Sequence, residues 1–205
     1  MLELDHLVVS AKTLDEGVRA VERTLGVRMA PGGAHPAMGT HNRLLHLGAG
    51  LYLEVIAVDP EAKAPPRRRW FGLDGFGEKA RLTHWVARSD DLSSTLGAAP
   101  DGSGALMDLT RGELSWQMAV PEDGTVPFGG AFPALIGWQG AEHPSSRLPD
   151  CGCRLLGLDI QHPQASALAG ALAGLIDDPR IAVQPGPAPR LSAMIETPSG
   201  RKILA

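Results

Sequence analysis

The chain has 205 residues, 43% hydrophobic and 20% charged, enough to bury roughly 70% of its unfolded surface as one domain or two small modules. Against 23 Asp and Glu stand 19 Lys and Arg, a formal charge of -4 that supplies no basic footprint for nucleic acid. No apolar stretch approaches a membrane span, and residues 1–5 carry acids where a secretory signal carries bases, so a cytoplasmic setting without a membrane partner is expected.

Residues 2–10, LELDHLVVS, alternate like a half-buried strand and put Leu2, Leu4, His6 and Val8 on one face. Thr13 to Glu16 reads as a capping box, followed by Leu14, Val18, Val21 and Leu25 at helical spacing and Gly26 as the stop. Residues 27–30 form a possible extra strand. Apolar runs at 42–47 and 51–58 flank a Gly48-Ala49-Gly50 turn suited to a hairpin. Residues 59–79, rich in Pro, Arg and Gly, read as a connection in which Arg67, Arg68 and Arg69 are solvated. The pattern then repeats, with a strand at 81–88, a short helix capped by Asp91, and strands at 105–109, 114–120 and 132–138. A third pass has a strand at 154–160, a helix carrying Leu168, Leu172, Leu175 and Ile176, and strands at 181–183, 191–195 and 202–204. A recurrence of about 70 residues is too long for a solenoid and fits duplicated α+β modules. The expected organisation is a module at 1–60, a linker at 61–80, a module at 81–145 and a partial one at 150–205, all in one compact domain. Cys151 and Cys153 are too closely spaced for a relaxed disulfide and read as idle thiols.

Three residues suggest chemistry. Glu54 shares a strand face with Tyr52, Ile56 and Val58, where a carboxylate needs a cation to offset its desolvation. His84 stands in the first strand of its module, as His6 does in its own. Together His6, Glu54 and His84 would make a facial ligand set for a divalent ion such as Zn, Fe, Mn or Ni. The competing reading has both histidines bonded to backbone and Glu54 solvated or paired with Arg43. His35, before Pro36 in a Gly-rich stretch, is a candidate catalytic base or ligand, with a plain surface loop as its alternative. Asn42, Tyr52, Trp85 and Trp138 are candidate substrate contacts, the tryptophans being core or cavity wall first. His143 before Pro144 and His162 before Pro163 read as turn and helix-start punctuation.

The segments Leu4-Asp5-His6-Leu7-Val8-Val9 and Leu51-Tyr52-Leu53-Glu54-Val55-Ile56 around a helix resemble the first module of the vicinal oxygen chelate superfamily. The stretches Gly32-Gly33-Ala34-His35-Pro36, Gly39-Thr40-His41-Asn42 and Tyr52-Leu53-Glu54 are similar to its glyoxalase-like subgroup. Asp123, residues 132–136, His143-Pro144 and residues 197–200 extend that resemblance over most of the chain. It implies an α+β fold in which repeated βαβββ modules pair into a curved, cup-like mixed sheet around a metal held by His6, Glu54 and His84. A fourth ligand of the glyoxalase type is missing, because residues 132–138 offer no carboxylate and Leu204 stands where such a chain has Glu. Glu196 could replace it only if it reaches the cup.

The leading expectation is therefore a metal-dependent enzyme acting on a small oxygenated molecule as isomerase, lyase or dioxygenase. The alternative is a metal-free protein that binds or sequesters a small molecule in the same cup, and a third is an interaction domain whose cup is filled. Which modules pair, and whether a homodimer completes the site, stay open at this level.

Overall fold

A computed structural model describes residues 1–140 and 142–205. The first module runs β1 (Glu3–Ser10), α1 (Leu14–Leu25), β2 (Ala30–His35), β3 (Thr40–Gly48) and β4 (Leu51–Val58). The second runs β5 (Arg81–Arg88), α2 (Leu92–Ala98), β6 (Ala105–Arg111), β7 (Leu114–Val120) and β8 (Ala134–Gln139). Together they form one eight-stranded sheet in the order β2-β3-β4-β1-β5-β8-β7-β6. Within each module the first strand is parallel to the last, and the modules join through antiparallel β1 and β5. The pairs His6 with Val86, Leu7 with Trp85 and Val8 with His84 place the seam's pseudo-twofold at Leu7 and Trp85. The sheet curls into a half-barrel until its edges approach, and Arg111 at the end of β6 lies over Gly33 of β2.

The remaining elements are β9 (Arg154–His162), α3 (Ala165–Leu172), β10 (Ile181–Pro185), β11 (Arg190–Thr197) and β12 (Gly200–Leu204). Their order along the chain repeats that of the modules, but their pairing differs. They make a separate sheet, β10-β9-β11-β12, in which the first strand pairs with the second and third instead of the fourth. Leu158, Ile160, Leu191 and Ile195 from this sheet, Leu168 from α3, and Val21 and Leu25 from α1 bury the convex face of the large sheet, including Leu7, Leu53, Trp85 and Leu135. Each such side chain contributes about 1.5–3 kcal/mol through lost contact with water. Among the described residues no helix is long and apolar enough to cross a membrane.

Local signals explain the helices. Thr13 Oγ1 accepts the Glu16 N–H at 3.3 Å, and Gly26, at φ 72°, turns back to donate to the Glu22 carbonyl. Asp91 accepts from the Ser94 N–H at 3.0 Å, starting α2 as its sequence suggests. The third helix stops at Leu172, before Leu175 and Ile176, because the chain turns at Gly174, φ 77°. No strand forms at 27–29; β2 begins at Ala30.

Gly17 sits inside α1, where glycine ordinarily costs about 1 kcal/mol relative to alanine. A Cβ there would stand 2.5 Å from Val55 Cγ1 and 2.7 Å from Ala11 Cβ, so the absent side chain sets how closely α1 approaches β4. Gly17→Ala is therefore expected to lose about 1–3 kcal/mol in urea unfolding, through overpacking. A gain in stability would show that α1 is free to shift outward.

Two expectations are corrected at this level. Leu2 and Leu4 do not share the face of His6. They lie with Leu7 and Val9 on the convex side, while Val8 faces the cup. The cause is a bulge: Leu4 pairs with Ala87 and His6 with Val86, leaving Asp5 as an extra residue that slips the alternation by one. Nor is the segment after β4 a solvated linker. Arg67 donates to the Val120 and Pro121 carbonyls, each at 3.2 Å, and Arg69 pairs with Asp74 and donates to the Gly39 carbonyl. These ties hold Trp70, Phe71 and Leu73 inside the cup, packed with Met38, Ile56, Val86 and Val120.

Candidate functional site

What the segment of Trp70 and Phe71 does not fill is a half-open pocket on the concave face, whose empty space, with the solvent at its mouth included, is about 360 Å³. Every strand of the curled sheet except β5 supplies a side chain to it, among them His6 from β1, His35 from β2, Asn42 from β3, Tyr52 and Glu54 from β4, and Arg111 from β6. Trp116 and Met118 of β7 and Ile136 and Trp138 of β8 form the apolar wall.

His6 and Glu54 face each other across this cavity, Nε2 and Oε2 being 3.6 Å apart. Each is held from behind. The Nδ1–H of His6 donates to Asp5 Oδ1 at 2.6 Å, which directs Nε2 into the cavity, and the ring stacks on Tyr52 with centroids 4.4 Å apart. Asn42 Nδ2 donates to Glu54 Oε1 at 2.5 Å, while Asn42 Oδ1 accepts from the Gly33 N–H and from Arg111. Gly32 is needed there: a Cβ would stand 2.1 Å from Asn42 Oδ1 and 2.3 Å from the Asn42 carbonyl oxygen.

Asp5 is completely buried, and its other oxygen accepts from Trp138 Nε1 and His143 Nε2, both at 2.9 Å. Burial alone would raise its pKa. The hydrogen bonds and charges of His143 and His6 outweigh burial and hold the carboxyl well below the usual range, so it stays ionised behind His6. The same burial, aided by the charges of Asp5 and Glu54, raises the Tyr52 phenol well above its ordinary value and keeps it protonated.

His35 is no surface-loop residue. It ends β2, 5% exposed, and its Nδ1 lies 3.1 Å from Thr40 Oγ1. Burial, followed by the charge of Arg111, pushes its pKa down to about 3. At neutral pH the ring is therefore uncharged, and its Nε2 accepts from Arg111 at 3.1 Å. A group so weakly basic is poorly matched to general-base work near pH 7.

His84 and Trp85 are adjacent on β5, so pleating sends them to opposite faces. Trp85 is fully buried on the convex side, donating to the Ala131 carbonyl at 2.9 Å, and is no part of the cavity wall. His84 does lie on the concave side, but Phe71 covers its ring at 5.0 Å and Gly130 closes on its Nε2. Its Nδ1 is buried without a partner among the described residues, and desolvation, then the charge of Arg81, lowers its pKa to about 3. His6 and Glu54 are thus brought together and His84 is not. Among the described residues no group of three His, Cys, Asp or Glu side chains stands close enough to hold an ion. Two donors fall one short of the three that hold a catalytic metal. Glu196 does not reach the cup either, being paired with Arg201 in the small sheet.

Sequence reasoning missed Asp5, Arg111 and His143. His143 does start a turn, accepting from the Ser145 N–H, but its other nitrogen serves Asp5. His162 keeps its expected place, accepting the Gln164 N–H before α3.

Comparison with solved structures places this geometry among known folds. A hypothetical protein from Staphylococcus aureus superposes with a TM-score of 0.68 at 12% identity, over 96% of this chain and 91% of that one. Methylmalonyl-CoA epimerase from Mycobacterium tuberculosis gives 0.44 at 18% identity, over 70% and 91% of the two chains. The Streptomyces coelicolor epimerase gives 0.45 at 14%, over 69% and 98%. No curated protein matches the sequence. Residues 4–176, which include every side chain of the cavity, match the glyoxalase-like domain family. The chain therefore belongs to the glyoxalase-like domain family.

Proposed function

We propose that the cup is the active site of a proton-transfer enzyme, an isomerase or lyase acting on a small oxygenated molecule. The observation that carries this reading is the facing of His6 Nε2 and Glu54 Oε2 at 3.6 Å, each fixed by a separate partner behind it. Two acceptor atoms so placed repel unless a proton or a bound group lies between them. A substrate carbon bearing a hydrogen next to a carbonyl answers both needs. Its proton passes to Glu54 Oε2, the C–H electron pair becomes the carbon–carbon double bond of an enolate as the carbonyl π pair moves onto oxygen, and a proton from His6 or Glu54 returns to the product. Asp5 holds the His6 imidazole in the tautomer that presents Nε2, as the acid does in an Asp–His dyad. In this reading His35 keeps Arg111 in place and is not the base. Trp70, Trp116 and Trp138 exclude water from the reacting carbon.

The test is deuterium uptake in D2O by a panel of α-hydroxy ketones, α-hydroxy acids and their amides, followed by proton NMR. Exchange above the buffer rate is expected. A probe that raises the melting temperature but never exchanges would replace the enzyme with a ligand-binding cup. Elemental analysis of chelator-free protein beside Glu54→Ala supplies the other arm. Near-stoichiometric zinc, iron, manganese or nickel that is lost in the variant would mean that substrate oxygens or a moved His84 complete a ligand set, and would restore the metal-dependent expectation.

A further inference from the structure

Arg111 differs from the other arginines that are half-buried in this fold. Arg69, Arg88 and Arg180 each face a carboxylate, of Asp74, Glu3 and Asp178 respectively, and Arg67 is spent on backbone carbonyls. Arg111 reaches into the cavity from the opposite edge of the sheet and meets only neutral acceptors, His35 Nε2 at 3.1 Å and Asn42 Oδ1 at 3.2 Å. Both bonds come from one terminal nitrogen, so the rest of a five-donor guanidinium fork has no protein acceptor among the described residues. A second donor lies in the same wall: the indole N–H of Trp70 is buried with no partner among the described residues. Arg111 and Glu54 are the cavity's one guanidinium and one carboxylate, and the His35 beside Arg111 is held neutral.

We propose that Arg111 anchors the carboxylate of the substrate, so that the site acts on small carboxylic acids whose reacting carbon lies next to that carboxylate. A planar fork with free N–H groups matches a carboxylate in two parallel bonds, and one guanidinium suits a monoanion. Only the Asn42 amide separates Arg111 from Glu54, so an acid held by Arg111 presents its α-carbon on the Glu54 side. When that carbon loses its proton, charge builds on the carboxylate as an ene-diolate, at the position where the guanidinium already stands. The tryptophan wall fits an apolar or aromatic substituent on the same carbon. Which carbon reacts rests on the proton-transfer reading; the carboxylate anchor does not.

The experiment compares mandelate with mandelamide, which share shape and differ in charge, by quenching of tryptophan fluorescence in the parent, Arg111→Gln and Arg111→Lys. The parent is expected to bind mandelate at least about tenfold tighter, a difference of about 1.4 kcal/mol. Arg111→Gln should abolish the preference and Arg111→Lys keep part of it. Equal affinity of the two probes in the parent, failure of both to bind, or a preference that survives in Arg111→Gln would each overturn the proposal. The parent comparison stands even if a variant folds poorly. Deuterium uptake at the α-carbon of the same samples separates the two ideas. Acid preference without uptake keeps the anchor and removes the proton-transfer reading, whereas uptake as fast in mandelamide as in mandelate removes the anchor and keeps that reading.

Discussion

Glu54→Gln is expected to slow enzyme-dependent deuterium uptake by about 10²–10⁴-fold, the usual worth of a positioned general base. Glutamine keeps the volume and the acceptor that Asn42 Nδ2 needs, so the network from Gly33 through Asn42 survives. Only the proton-accepting oxygen that faces His6 is replaced. A fall in rate with the thermal midpoint unchanged therefore assigns the loss to chemistry and not to folding. Asp5→Asn supplies the contrast. It leaves Glu54 intact but offers His6 Nδ1 an amide in place of an ionised partner, so the imidazole is no longer committed to presenting Nε2. If Glu54→Gln exchanged as fast as the parent while binding the probe equally well, Glu54 would not be the base. The proton would then have to leave through His6 alone.

The site divides cleanly into what periodicity reveals and what it hides. His6, Tyr52, Glu54 and Asn42 were legible because they interrupt apolar alternation on strands whose neighbours fix which face is inward. The same rule misplaced Leu2 and Leu4, since one extra residue at Asp5 reverses the alternation behind it, and it concealed Asp5 itself, which the bulge turns toward His6. Applied strictly, alternation would have separated Trp85 from His84. Arg111 left no such trace. It ends an edge strand, and only the curling of the whole sheet carries it 76 positions back along the chain to His35. His143 meets Asp5 across 138 positions for a similar reason. The segment after β4 did carry a signal, in Trp70, Phe71 and Leu73 set among prolines and arginines, but composition outweighed it. Phe71 is held at φ 57°, a left-handed conformation that costs a bulky residue about 1–2 kcal/mol and persists because its ring is buried in the cup.

Acid is expected to destabilise the fold well before ordinary carboxylates titrate, because two imidazoles are buried uncharged. His35 and His84 have folded values near 3, against 6.5 for the unfolded chain. Between those limits the unfolded state binds protons that the folded state does not, so stability rises with pH through this window and is lost as pH falls. Each histidine costs about 1.4 kcal/mol per pH unit below 6.5, or roughly 2–3 kcal/mol by pH 4.5. Asp5 acts in the same direction at lower pH. Its folded value is depressed, so the stability it contributes is present above the unfolded value of 3.8 and disappears as pH falls toward the folded one. Urea unfolding of the parent at pH 7.5, 6 and 4.5 should show the loss. The variant His84→Leu should isolate one part of it, since an apolar side chain among Val8, Val86 and Phe71 neither titrates nor leaves a nitrogen unpartnered. The slope below pH 6 should fall by about 1.4 kcal/mol per unit in that variant, so its stability approaches or overtakes the parent's in acid. A parent whose stability is level from pH 7.5 to 4.5, or a variant with an unchanged slope, would mean that His84 gains a proton in the folded protein. The ring would then have a partner that its packing against Phe71 and Gly130 does not supply.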